Sequence, residues 1–113
     1  MAATKEEISM IGFEIVAYAG DAMTDLLAAL DRARGGDIEG ARELHEQARH
    51  ELIDAHDVQT GLLSQEAGGS EMDVTFIMVH AQDTLMTTML LEKQVAYTID
   101  AYERIAALEA KLG

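Results

Sequence analysis

The first third of the chain carries apolar residues at alternating spacings of three and four, which is the spacing of one face of an α-helix. Thr4 and Glu7 form a capping-box sequence before this pattern, and Gly35-Gly36 ends it with a common C-terminal signal. The pattern therefore predicts a helix over residues 5–34. Its apolar positions are Ile8, Ile11, Ile15, Ala19, Ala22, Leu26 and Ala29.

The same kinds of signal predict two more helices. Asp37 is a good N-cap residue, and an alanine-rich apolar stripe behind it predicts a helix over 37–67 that a neighbouring helix can approach closely. Gly68-Gly69-Ser70 interrupts the chain, and Ser70 or Asp73 is predicted to cap a third helix over 71–111. Because the connections are short, we expect an all-α fold, an antiparallel up-down-up three-helix bundle, as a single domain over 1–113.

The third predicted helix is apolar nearly all round between residues 74 and 91 and has no basic residue there (VTFIMVHAQDTLMTTMLL). Such a helix is either buried or spans a membrane. His80, Gln82 and Asp83 stand at its centre, where burial in lipid is costly, and its flanks lack the Lys/Arg bias of a membrane segment. We therefore expect no membrane insertion. A three-helix bundle cannot cover every side of this helix, so the pattern favours self-association.

The composition excludes several classes of function. With 113 residues, 49% of them hydrophobic and 26% charged, the chain is a globular protein, and 4% aromatic residues disfavour an all-β fold. It has no cysteine, and hence no thiolate metal site or cysteine nucleophile. It also lacks a glycine-rich phosphate loop, a nucleophile elbow and the paired Glu-x-x-His motifs of helical di-iron sites. With no apolar signal core after Met1, we expect a cytoplasmic protein.

The formal charge of −13 argues against nucleic acid as a partner, because phosphate backbones repel so acidic a chain. The charge is unevenly distributed, since no Lys or Arg occurs between Arg49 and Lys93. A basic protein is the partner that this stretch would attract, and an ordinary solvated acidic surface is the alternative. Its acidic residues are Glu51, Asp54, Asp57, Glu66, Glu71, Asp73, Asp83 and Glu92.

Three of the four histidines lie in patterns that give little indication of a catalytic or metal-binding role. His45 and His50 are five residues apart, which on a helix places the two rings about 140° apart, so they cannot bind one metal ion together. Both are expected on the surface, with His50 four residues from Asp54 in a helix-face pair. His56 is interpreted as a polar contact to a neighbouring helix, with a functional role as the alternative.

His80 differs, because it lies in the most apolar part of the chain with Gln82, Asp83 and Thr84 nearby. Apolar surroundings disfavour the imidazolium form and leave a neutral ring with one nucleophilic nitrogen. A hydrogen-bonded core histidine is the alternative. A lone carboxylate such as Asp83 must, in that setting, be paired, protonated or bound to a metal.

Three stretches of the chain resemble a known family. The third-helix stretch closely resembles the signature of the lactose/cellobiose-type IIA component of the bacterial phosphoenolpyruvate-dependent sugar phosphotransferase system. A first-helix stretch and a second-helix stretch, in the expected order, are similar to that family's other motifs. In chain order these stretches are Phe13-Glu14-Ile15-Val16-Ala17-Tyr18-Ala19-Gly20-Asp21-Ala22, Ala55-His56-Asp57-Val58-Gln59-Thr60 and Val79-His80-Ala81-Gln82-Asp83 with Leu85-Met86-Thr87.

The resemblance implies a trimer of three-helix subunits that forms a nine-helix bundle. It implies that His80 accepts a phosphoryl group from the histidine phosphocarrier protein and passes it to a IIB component during uptake of a disaccharide of the lactose, cellobiose or chitobiose class. Gln82, Thr84 and His56 are then supporting residues. Asp83 would meet its two symmetry mates around a divalent metal, Mg²⁺ by preference, one per trimer. Where the family commonly has a second histidine, this chain has Thr84.

Two other classes of function remain open at the level of the sequence. One is a helical adaptor that keeps the fold without phosphotransfer, and the other is a metal-binding regulatory trimer. Phosphohistidine formation would distinguish the carrier from both, and stoichiometric metal without phosphorylation would identify the last.

Overall fold

A computed structural model describes residues 3–113 and consists of three long antiparallel helices. They are α1 (Lys5–Arg34), α2 (Ile38–Ala67) and α3 (Phe76–Leu112). The described residues contain no β-strand, and a single isolated bridge joins Ala3 to Met72. This arrangement confirms the predicted all-α up-down-up bundle, which is 65 Å long. No helix in the part of the chain that the structure describes is long and apolar enough to cross a membrane.

Helices α1 and α2 begin at the capping residues from which their starts were predicted. The Thr4 hydroxyl accepts a hydrogen bond from the Glu7 N–H at 3.1 Å, and Asp37 accepts one from the Gly40 N–H at 3.0 Å. Each side chain satisfies one of the donors that a helix leaves free at its N-terminus. Gly36 has a φ of 94°, in the left-handed region that favours glycine, and this allows the chain to reverse between α1 and α2.

The third helix begins five residues later than the predicted residue 71. Its N-cap is Thr75, not Ser70 or Asp73, and the Thr75 hydroxyl accepts a hydrogen bond from the Met78 N–H at 3.2 Å. Residues 71–75 are held outside the helix, where Met72 pairs with Ala3. Thr75 lies only two residues after Asp73, and this long-range pairing accompanies its use as the cap.

The core is narrow because small residues line most of it. Its largest fully buried apolar side chains are Ile15, Leu26, Leu85, Val95 and Ile99, and eight alanines occupy further buried positions on all three helices. The closest approach is at Gly12, where an added Cβ would lie 3.4 Å from the backbone of Ile77. This contact packs the start of α1 directly against the start of α3, the segment that carries His80.

Candidate functional site

His80 lies in the second turn of α3 and is exposed in the single chain. The expectation of an apolar environment for its ring is therefore wrong for one protomer. The physical reason is that α1 and α2 cover only the side of α3 that carries Ala81 and Leu85, both fully buried. His80 lies beyond the edge of that covered side.

The flank of α3 that carries His80 faces α1. Thr98 and Tyr102 are 18 residues, five complete helical turns, beyond His80 and Thr84, so they lie on the same flank. They line a cleft together with Leu27 and other residues of α1. The opposite flank, which carries Gln82 and Met89, faces α2.

Between these two flanks, α3 exposes an apolar stripe. Phe76 is 89% exposed and Leu90 is 69% exposed, which is unusual for such side chains on a soluble domain. The spacing along the stripe alternates between three and four, as in the contact face of a coiled coil. We define the stripe by Phe76, Val79, Asp83, Met86 and Leu90.

Asp83 lies inside this stripe and is exposed in the single chain. Its burial in an apolar core, expected from the sequence, therefore does not occur within one protomer, because no other helix of the same chain reaches this side of α3. Among residues 3–113 no group of three or more His, Cys, Asp or Glu side chains is placed to hold a metal ion. One protomer thus offers one carboxylate, and a metal site at Asp83 needs further copies of the chain.

Thr84 does not direct its proton towards the His80 ring. Its hydroxyl donates to the backbone carbonyl of His80 at 2.9 Å, a bond within the helix. Thr88 makes the equivalent bond to the Thr84 carbonyl at 2.7 Å. The hydroxyl of Thr84 keeps only its acceptor lone pairs for other contacts.

Gln82 is held by a residue that the sequence analysis did not single out. Gln59 of α2, only 6% exposed, donates from Nε2 to Gln82 Oε1 at 2.9 Å and to Met86 Sδ at 3.7 Å. The sequence contained a signal for Gln59, since it continues the buried positions 48, 52 and 55 of α2 at helical spacing. A polar residue in such a position needs a hydrogen-bond partner.

A mostly apolar cavity of about 310 Å³ opens beside this glutamine pair. It lies where the end of α2, the start of α3 and the segment before α3 meet. Its volume falls at the lower limit of small-molecule sites and suits one or two side chains of a partner. Its apolar wall includes Ile8, Leu62, Leu63, Met72, Met78 and Val79, and Gln59, Gln82, Glu66 and Asp73 supply its polar groups.

The other three histidines lie on α2. His45 is not on the surface as expected: its ring is 16% exposed, and Nε2 lies 3.1 Å from the backbone carbonyl of Glu92. His50 pairs with Glu46 at 3.4 Å and not with Asp54, because the helix places Glu46 on the preceding turn within reach. His56 is exposed and lines a shallow cleft on the α2 side of α3 with Met89 and Lys93.

One carboxyl group away from His80 has a strongly perturbed pKa. Burial of Glu51 at the α1–α2 contact, together with the neighbouring Asp25 and then Asp21 of α1, raises the pKa of Glu51 to about 7. Its Oε1 atom is buried with no hydrogen-bond partner among the described residues. These carboxyl groups therefore bear on the stability of the bundle.

Comparisons with known proteins agree with one another. Residues 10–103 match the family model described as PTS system, lactose/cellobiose specific IIA subunit. The chain is 62% identical over 111 residues to the PTS system lactose-specific EIIA component of Lacticaseibacillus casei, which covers 98% of this chain and 99% of that protein.

Two solved structures are similar in fold as well as in sequence. The crystal structure of PtcA from S. mutans has a TM-score of 0.87 and 37% identity, covering 89% of this chain and 99% of that one. The IIA(chitobiose) of the Escherichia coli N,N'-diacetylchitobiose branch, solved in complex with HPr, has a TM-score of 0.76 and 34% identity over 88% of this chain and 96% of that one.

Proposed function

The chain belongs to the lactose/cellobiose-specific IIA subunit family of the phosphotransferase system, and we propose that His80 is the residue that carries its phosphoryl group. The chain is thus a phosphoryl carrier, a transferase component that works through a phosphohistidine. The observation that carries the assignment is the position of His80, exposed at the edge of the apolar stripe of α3. The other three histidines all lie on α2.

The reaction needs one unprotonated ring nitrogen on His80. That nitrogen attacks the phosphorus of the donor's phosphohistidine, a new N–P bond forms, and the donor's N–P bond breaks with its electron pair returning to the donor ring. The second nitrogen of the His80 ring keeps its proton throughout. In the next step a cysteine thiolate of a IIB component attacks the same phosphorus, and His80 is released as the free imidazole.

The proposed donor is the histidine phosphocarrier protein, HPr, the partner in the similar Escherichia coli complex. The end of the bundle that carries His80 suits a basic surface. Between Arg49 and Lys93 the chain has no Lys or Arg, and the segment that precedes α3 contributes Glu71 and Asp73. Because positive charge then comes from the partner, it leaves with the partner, and the phosphoryl group is not held too tightly to be passed on.

The assembly we propose is a homotrimer in which the apolar stripe of each α3 faces a threefold axis, which makes a nine-helix bundle. A second and third copy of the chain match both the coiled-coil spacing and the length of the stripe. In a cyclic trimer the contact is head-to-tail. The His80 flank of one α3 therefore meets the Gln82 flank of the next, and each site lies in a groove between two copies.

The same symmetry brings three Asp83 carboxylates together at the axis. Three like charges at close range cannot all ionise in apolar surroundings without a cation or shared protons. Carboxylate oxygens alone suit Mg²⁺ or Ca²⁺, and we propose one divalent ion, Mg²⁺ by preference, per trimer. When bound, the ion would neutralise these carboxylates; it takes no part in the phosphoryl transfer at His80.

The proposed substrate of the complete transport system is a disaccharide, with lactose favoured by the 62% identity to a lactose-specific component. A carrier of this kind passes its phosphoryl group between cytoplasmic partners, so the proposed location is the cytoplasm. His56 lies on the α2 side of α3, in a cleft with Lys93. In the trimer that cleft opens towards the same groove, where His56 would support docking of a partner.

Phosphorylation by phosphoenolpyruvate, enzyme I and HPr tests the assignment of His80. We expect His80→Gln to form no phosphohistidine and to keep its helical content and trimeric mass. His50→Gln is the matched control, because it removes an exposed histidine that has no part in the proposed site. It should still be phosphorylated. A phosphoryl group that maps to any residue other than His80 would disprove the assignment, and a trimer that is never phosphorylated would identify an adaptor.

A further inference from the structure

The neighbours of the buried Gln59 amide favour one of its two orientations. Its Nε2 atom faces both Gln82 Oε1, at 2.9 Å, and Met86 Sδ, at 3.7 Å. A thioether sulfur accepts hydrogen bonds weakly and cannot donate them, so Met86 favours the nitrogen end of the Gln59 amide facing it. Met86 thus determines which end of the Gln59 amide points towards α3.

The orientation of Gln59 determines that of Gln82 in turn. Because Gln59 presents a donor, Gln82 must present its oxygen to it. The NH₂ group of Gln82, with two N–H donors, is then directed away from Gln59. Gln82 is only half-buried, so this NH₂ group can reach a ligand in the groove.

We propose that Gln59 is a positioning residue, which through Gln82 presents an NH₂ donor to the phosphoryl group on His80 of the adjoining copy. The inference rests on the proposed function, since it needs the trimer that brings the Gln82 flank of one α3 to the His80 flank of the next. Met86 belongs to the apolar stripe as well as to the amide pair. Packing of the trimer therefore also holds the amide orientation.

The direction of the amide matters because a phosphoryl group has only acceptor oxygens. An N–H donor stabilises the negative charge on these oxygens, whereas an amide oxygen in the same place would repel it. A hydrogen bond to a charged group changes a rate constant by about 10-fold or more. Replacing Gln82 with Ala should lower the rate of transfer to His80 at saturating HPr by about that factor.

Gln59→Met tests the positioning role, because methionine has a similar size and cannot donate. We expect the rate to fall about 3-fold to 10-fold, since the Gln82 amide is left free to turn. The critical measurement is the double variant Gln59→Met/Gln82→Ala, which should be no slower than Gln82→Ala alone. If the two effects multiply, or if Gln59→Met has no effect, the proposal is wrong. Gln65→Met, an exposed glutamine on the same helix, is the matched control and should transfer at the normal rate.

A second measurement does not depend on how well Gln59→Met folds. In the unmodified trimer the side-chain NH₂ signals of Gln82, identified by their loss in Gln82→Ala, should shift in the NMR spectrum when His80 is phosphorylated. Unshifted signals would overturn the proposal even when phosphohistidine forms. If the unmodified protein forms no phospho-His80 at all, the proposed function fails, and this inference fails with it.

Mixed trimers test whether the donor comes from the adjoining copy. Chains with His80→Gln supply an intact Gln82 and chains with Gln82→Ala supply an intact His80, so some grooves of a mixed trimer contain both. We expect the mixture to transfer faster than trimers of Gln82→Ala alone. Mixing without gain in rate would show that Gln82 does not act across the contact.

Discussion

The two ends of the bundle differ in charge and in ion pairing. At the far end, where α1 turns into α2, Arg32 pairs with Asp37 at 3.0 Å and Arg42 pairs with Glu103 at 2.9 Å. At the site end, where α2 stops and α3 starts, the described residues form no ion pair. That end exposes Phe76, Val79 and Leu63 and carries the cavity beside Gln82, and exposed apolar side chains of α3 continue to the far end at Leu108 and Leu112.

This difference indicates that the two ends of the bundle have different roles. The ion pairs of the far end join residues of one chain, so these four charges need no partner. The site end leaves acidic and apolar surface available, and both kinds of surface are what protein partners and further copies of the chain would cover. Changes at the site end should therefore alter assembly and transfer, whereas changes to the ion pairs of the far end should alter neither.

The largest effect on the site end is expected from Asp83→Leu. The substitution removes three carboxylates from the proposed axis and replaces them with apolar volume, and such replacements of buried charge are often stabilising. We expect the trimer to persist, to melt roughly 5 °C higher or more, and to lose any dependence on divalent ions.

Sedimentation and thermal melting with and without a chelator check this expectation. Asp54→Leu, an exposed aspartate of α2, serves as the control and should not raise the melting temperature. A monomeric or markedly less stable Asp83→Leu protein would show that the carboxylates and their ion hold the assembly together.

The next largest effect is expected on the pH dependence of stability and comes from Glu51, in the middle of the bundle. Because its pKa is raised to about 7 from an ordinary 4.5, the folded protein binds more protons than the unfolded chain between these pH values. This group's contribution to stability is complete below pH 4.5 and is lost as pH rises to about 7. Glu51→Gln should thus be more stable than the unmodified protein at pH 8, by about 1–2 kcal/mol.

Urea unfolding at several pH values measures this difference, which should disappear near pH 4. The matched control is Glu43→Gln, an exposed glutamate on the same helix, for which no pH-dependent difference is expected. A Glu51→Gln protein that is less stable at pH 8 would mean that Glu51 is ionised and held by a favourable contact.

A smaller effect is expected of salt on the rate of transfer from HPr. Between 0.1 M and 1 M salt the Debye length falls from about 10 Å to about 3 Å, so association of oppositely charged surfaces slows. At subsaturating HPr the rate should fall severalfold. Neutralising Glu71 and Asp73 at the site end should weaken this salt dependence, whereas neutralising Glu39 at the far end should leave it unchanged. A rate that is indifferent to salt would contradict electrostatic docking.

The smallest effect is expected at the far end itself. Arg42→Ala removes an exposed ion pair with Glu103, and such pairs contribute little to stability in water. The melting temperature should change by at most about 2 °C, with no change in phosphorylation of His80. A clear loss of phosphorylation would mean that the two ends are coupled along α3.

The sequence alone predicted the three helices, because apolar spacing and capping residues are local properties. Thr4, Asp37 and the glycine pairs mark helix ends through bonds that span only a few residues. The start of α3 was wrong by five residues for the opposite reason: the choice of Thr75 as N-cap accompanies the pairing of Met72 with Ala3. Likewise His45 meets Glu92, a residue 47 positions away that no local pattern identifies.

For the candidate site, too, the sequence determined some features and the tertiary structure determined others. Residue type and the family motifs identified His80, Gln82 and Asp83, but only the tertiary structure decided which of their neighbours they meet. It placed Gln59 between Gln82 and Met86, directed the Thr84 proton to a backbone carbonyl, and left His80 and Asp83 exposed. Spacing along one helix determines which face a side chain occupies, whereas burial and hydrogen-bond partners depend on which other helices cover that face.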